Sequence, residues 1–188
     1  MSDSDIYFSF GYIINEYPKD LHFYEAFNSP ITEDMIEIIK NSGCIHLHLG
    51  KEFNQNLDNL PDGIESVILS ECEYFNKPLD NLPVTLTYLV ICEPFNRRLD
   101  FLPAGLNYLE LPIGYNQSLD NLPRGLEYLK IDWFYDNPLN NLPGLKILKI
   151  FSDFYKYDLL ILPSSLEKLI ISSSYKGKIK EGVTVEYY

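Results

Sequence analysis

The sequence predicts a repeat solenoid: one domain of stacked turns, each contributing a short β-strand. Two observations predict it. A nine-residue phrase recurs as FNQNLDNLP (53–61), FNKPLDNLP (75–83), FNRRLDFLP (95–103), YNQSLDNLP (115–123), YDNPLNNLP (135–143) and YKYDLLILP (155–163). Its closing prolines are spaced 22 residues apart once and then 20 residues four times. Between the phrases lies an apolar-x-x-apolar-x-apolar segment: IESVIL (64–69), LTYLVI (86–91), LNYLEL (106–111), LEYLKI (126–131), LKILKI (145–150) and LEKLII (166–171). A fixed period of this length is the signature of stacked repeats.

Counting each proline as position zero, apolar residues fall at positions 3, 6, 8, 12, 16 and 19. Positions 6 and 8 alternate with polar neighbours, the two-residue period of a strand with one buried face. The rest of each unit has no helical stripe, and proline closes it at position 20. Proline removes an N–H and disfavours helix at the residue before it, so the return path is extended or turn-like. A single unit cannot bury its own apolar edge, but stacked units bury each column against itself. About forty buried side chains at roughly 1.5–3 kcal/mol each drive the stacking. With strands about 4.8 Å apart, the rod is on the order of 35–40 Å long.

The elements follow in chain order. Residues 6–14, IYFSFGYII, are aromatic and β-branched and predict a strand. Leu21, Phe23, Phe27, Asn28 and Ile31 reproduce positions 6, 8, 12, 13 and 16, a degenerate first unit. A helix near 31–41 then replaces its return, with Ser29 and Pro30 as the start signal and Gly43 as the stop. Residues 1–43 are thus a capping segment, 44–175 the repeats and 176–188 a closing segment, all in one structural domain. The tail from Val183 to Tyr188 alternates like a last strand. Within the repeats, Asn54, Asn76, Asn96, Asn116 and Asp136 hold position 13, and an inward ladder there is expected to bond the backbone of adjacent turns. Asp58, Asp80 and Asp120 recur in Leu-Asp-Asn-Leu-Pro, where a side-chain-to-backbone turn bond is expected.

The F-N-x-x-L…L-P phrase followed by L-x-x-L-x-L resembles the FNIP repeat, a relative of the leucine-rich repeats, over roughly residues 44–175. The resemblance implies a right-handed, leucine-rich-repeat-like superhelix with a parallel β-sheet on its concave face. Such repeats occur in amoebae and in the large DNA viruses that infect them. They are regarded as interaction modules, sometimes joined to an F-box that recruits a ubiquitin ligase. No F-box pattern stands in the first 43 residues.

Composition narrows the function. Fifteen basic against 27 acidic residues give a net charge of −12. That argues against nucleic acid, whose phosphates are held by Lys and Arg, and against an anionic membrane surface. The longest apolar run is too short to span a bilayer. An acidic start without a basic n-region is not a signal peptide. Cys44, Cys72 and Cys92 lack C-x-x-C spacing and are expected as reduced thiols in the cytoplasm, whether of a cell or of an infected host, or in a virion. No P-loop, G-x-G-x-x-G, G-x-S-x-G or zinc-type spacing is present. The expectation is a non-enzymatic protein-binding scaffold without a cofactor. A structural or packaged viral component and a ubiquitin-ligase adaptor are the alternatives.

Alternation sends positions 5, 7 and 9 to the open concave face. Tyr88, Tyr108 and Tyr128 stack there at position 5, with Glu110, Lys130 and Lys149 at position 7 and Asp132 and Phe151 at position 9. These eight residues are the candidate partner-binding surface, aromatic anchors among polar selectors. A cross-strand ladder that only steadies the sheet predicts the same tyrosines. Trp133 and Phe134 extend this patch at one rim or pack under the loop. His22, His46 and His48 fall close together, either as surface histidines or as a weak metal candidate lacking a fourth ligand.

Overall fold

The computed structural model describes residues 6–7, 12–14, 19–23, 25–140 and 142–188. Eleven strands lie side by side in chain order: β1 (Ile6–Tyr7), β2 (Tyr12–Ile14), β3 (Asp20–Phe23), β4 (His46–His48), β5 (Ser66–Ile68), β6 (Tyr88–Val90), β7 (Tyr108–Glu110), β8 (Tyr128–Ile131), β9 (Ile147–Ile150), β10 (Lys168–Ile171) and β11 (Thr184–Tyr187). The nine from β3 to β11 are parallel and follow one another along a right-handed solenoid of about seven turns. The returns between them are turns and irregular chain, as a proline-closed segment requires.

The register rests on position 6. Leu47, Val67, Leu89, Leu109, Leu129, Leu148 and Leu169 pair strand to strand, and each is 0% exposed. The unit after Pro143 reaches its strand one residue early, yet Tyr128 still faces Ile147. Gly144 makes the shortcut possible, because a Cβ there would stand 2.5 Å from the Arg124 carbonyl oxygen. An extra residue between Phe151 and Tyr155 restores the phase. Inside the coil the position-12 rings form a spine. Phe27, Phe53, Phe75, Phe95 and Tyr115 follow one another at centroid distances of 6.0 to 6.2 Å.

At the N-terminal end, the expected single strand over 6–14 is two strands. β1 and β2 pair antiparallel with Ile6 opposite Ile14, and residues 8–11 lie outside the described residues. Strands of the coil are three or four residues long, so a nine-residue strand would overrun them. Helix α1 (Glu33–Ser42) starts later than expected. Ile31 is buried in the position-16 column and keeps the chain extended. Thr32 rather than Ser29 is therefore the N-cap, and its Oγ1 accepts the Met35 N–H at 3.4 Å. Gly43, at φ 68°, ends the helix in the left-handed conformation. Met35 and Ile39 are buried.

The asparagine ladder exists but runs along the surface. Asn54 donates its N–H to Asn28 Oδ1 at 2.9 Å, Asn116 to Asn96 Oδ1 at 2.9 Å, and Asp136 to Asn116 Oδ1 at 2.8 Å. Asn96 and Asn116 are exposed, not inward. The ring at position 12 fills the interior, so the next residue of an extended chain points out. A second thread at position 14 reinforces it: the Gln55, Asn137 and Tyr157 side chains donate to the preceding turn. Lys156, which breaks the amide series, pairs with Asp136 at 2.8 Å. At the aspartate of the phrase, Asp120 accepts the Ser118 hydroxyl of its own turn at 2.7 Å, whereas Asp58 and Asp100 bridge turns. Asn81 donates to Asp58 at 3.3 Å and Asn121 to Asp100 at 2.9 Å. The three cysteines are free and buried, and burial pushes the Cys44 thiol up to about 11. Among the described residues, no helix is long and apolar enough to cross a membrane.

Candidate partner-binding face

β6, β7 and β8 bring Tyr88, Tyr108 and Tyr128 opposite one another, because position 5 precedes the buried leucine in each strand. Their rings stack at centroid distances of 4.1 and 4.0 Å, with interplanar angles of 13° and 5°. That is closer than the strand spacing, so the rings tilt into contact. All three are half-buried.

Glu110 ties the ladder to the charged row. Its carboxylate accepts a short hydrogen bond from the Tyr108 hydroxyl and a longer one, 3.4 Å, from Tyr128. The Lys130 ammonium stands 3.3 Å from its other oxygen. Burial, and then the bond to Glu110, hold the Tyr108 hydroxyl well above the usual phenol range. Lys149 lies 5.2 Å over the Tyr128 ring, and Lys130 lies 5.7 Å from the Phe151 ring. Seven of the eight candidate residues therefore form one contiguous surface: three stacked rings, a carboxylate, two ammonium groups and Phe151.

Position 9 departs from the expectation. Cys92, Ser172, Gly50 and Pro112 are buried there, because the strands end before this residue and the chain turns inward. Asp132 is half-buried and uses one oxygen to accept the Trp133 N–H at 2.8 Å, so it belongs to the turn. Trp133 and Phe134 are not packed under the loop but are 45% and 62% exposed. The sequence pattern did not bring Tyr188 to this face. Its ring lies 5.0 Å from Phe151, placed by the pairing of β11 with β10. The only available signal was the alternation of the C-terminal tail.

The histidines do meet. His22 and His48 are opposite each other on β3 and β4, their rings stacked at 4.0 Å and 13°, with His46 two residues away on the same strand. Among the described residues, no three His, Cys, Asp or Glu side chains are grouped to hold a metal ion.

Neither a protein-family model nor a curated protein matches the sequence. A solved structure does. The crystal structure of CroV588, a giant-virus protein described as a novel circular LRR protein structure, superposes with a TM-score of 0.69 at 24% identity over 94% of this chain. The chain spans about a third of that protein's length (31%). The likeness shows a leucine-rich-repeat-like fold.

Proposed function

We propose that this chain is a non-enzymatic scaffold that binds a protein partner on the concave sheet, and that its repeats are of the FNIP type. The tyrosine ladder carries the reading. Three rigid rings on an open face offer large contact area at little rotamer cost. Glu110 and Lys130 beside them supply opposite charges that select a partner more than they hold it. A net charge of −12 favours a protein over a nucleic acid as that partner. Tyr108→Ala, measured by thermal melt and by partner capture with mass spectrometry, tests the proposal. A hot-spot tyrosine costs ~2 kcal/mol or more of binding, whereas a lost ring pair costs about 0.2–1 kcal/mol of folding. Lost capture with a nearly unchanged melt is the expected result. A lowered melt with intact capture would mean that the rings only brace the sheet.

A second reading, a structural or packaged component of a viral particle, is favoured by the likeness to a giant-virus protein. Detecting the chain in purified particles supports it, and finding it only in infected-cell lysate argues against it.

A further inference from the structure

The turns that follow the strands line one edge of the solenoid, and their composition differs from the rest. Residues 70–74, 92–94, 112–114, 132–134 and 152–154 include Glu71, Glu73, Glu93, Asp132 and Asp153 and no lysine or arginine. The same turns hold Tyr74, Ile113, Trp133, Phe134 and Phe154, exposed by 53, 42, 45, 62 and 72%. Trp133 and Phe154 meet edge to face at 6.1 Å across neighbouring turns and, with Phe134 next in the chain, make an exposed apolar ridge. A groove of about 490 Å³ is lined by Ile113, by the carboxylates of Glu71, Glu93 and Asp132, and by the Glu110–Lys130 pair. Lys51 neutralises Glu73 at 2.9 Å. Among the described residues, no ion pair forms at Glu71, Glu93, Asp132 or Asp153.

We infer that this edge docks a cationic, amphipathic segment of a partner protein. A contiguous apolar ridge rimmed by polar groups marks an interaction surface. Its carboxylates, which form no ion pair among the described residues, give the occupant its sign: Lys or Arg heads over Glu71, Glu93 and Asp132, apolar side chains against Phe134 and Phe154. A guanidinium is also attracted to the Trp133 face. The same carboxylates repel an anionic lipid surface. The inference rests on the scaffold reading above, but it places this contact on the edge and not on the tyrosine ladder.

Trp133 is the only tryptophan, so its emission reports on the ridge directly. The full chain is titrated with a short synthetic peptide of alternating lysine and leucine or phenylalanine, and with its glutamate-for-lysine counterpart. The lysine peptide is expected to shift Trp133 emission saturably to shorter wavelength, with affinity falling as salt rises. The glutamate peptide is expected to leave the emission unchanged. F134S/F154S, which keeps every carboxylate, is expected to bind the lysine peptide at least about tenfold more weakly. E71Q/E93Q, which keeps the ridge, is expected to bind more weakly and with a shallower salt dependence. Wild-type affinity in either double variant, or equal binding of the glutamate peptide, overturns the proposal. So does a shift produced by raising the protein concentration alone, which identifies a second copy as the occupant. The same shift produced by phosphatidylcholine vesicles, which identifies lipid, also overturns it. Tyr108→Ala in the same titration separates the two surfaces. If it loses the peptide while F134S/F154S retains it, the segment sits on the ladder and the edge proposal fails while the scaffold reading stands.

Discussion

Position 12 changes from phenylalanine to tyrosine halfway along the coil. The hydroxyls of Tyr115 and Tyr135 are buried and find no hydrogen-bond partner among the described residues. Burial pushes both phenols above their ordinary range. Tyr175 differs, because its hydroxyl donates to the Tyr157 carbonyl at 2.6 Å. An unsatisfied buried polar group costs about 1–3 kcal/mol, and a satisfied one contributes about 1 kcal/mol. Tyr135→Phe is therefore expected to raise the melting temperature by about 2–4 °C per kcal/mol regained, and Tyr175→Phe to lower it; paired calorimetric scans check both. Burial, and then the facing His22 imidazole, hold His48 below its ordinary 6.5. The folded chain thus binds this proton less readily than the unfolded chain does. The resulting stability is full above pH 6.5 and is lost as pH falls from there toward the lower folded value. Melts of wild type and His48→Gln from pH 7 downward test this, with a smaller acid loss expected in the variant.

The polar threads do for the returns what the ladder bonds do for the strands. They pair backbone groups that a bent chain would otherwise leave to water. Asn116 Oδ1 accepts the Asp136 N–H at 2.8 Å, whereas Asn76 Oδ1 is buried without a partner among the described residues. Asn116→Ala is therefore expected to cost about 1 kcal/mol and Asn76→Ala almost nothing, as read from urea midpoints. Equal losses would mean that the ladder is decorative. The thread was legible as a column of like residues, but its placement was not. Whether position 13 faces in or out depends on the ring at position 12 filling the interior, a volume that no periodicity reports. The start of α1 depends on packed volume in the same way: Ile31 packs into a column and delays the helix until after its Thr32 cap.

Across the whole molecule the core is one row of like contacts repeated along the axis, so stability is close to a sum of neighbouring interfaces. Leu109 is sealed between Leu89 and Leu129, while Leu169 has only the half-buried Val185 beyond it. Leu109→Ala is expected to cost about 2–5 kcal/mol, and Leu169→Ala less, because the end of the coil has room to relax. Denaturant unfolding of the two variants checks the order. A terminal variant as damaging as the central one would contradict nearest-neighbour additivity.

The period and the six columns by themselves determined the solenoid, the strand register through the shortened turn at Gly144, and the meeting of the three tyrosines, because stacking like on like leaves one way to bury every column. The tertiary structure alone decided what lies at the ends of those columns and between them. It turned position 9 inward at Cys92 and Ser172, sent the asparagines to the surface, and set Tyr188 against Phe151. It also joined Trp133 and Phe154 into an exposed ridge. Each of these depends on how far a strand runs before it turns and on which side chain reaches the interior first. Those are properties of packed volume, and a linear pattern of apolar and polar residues does not contain them.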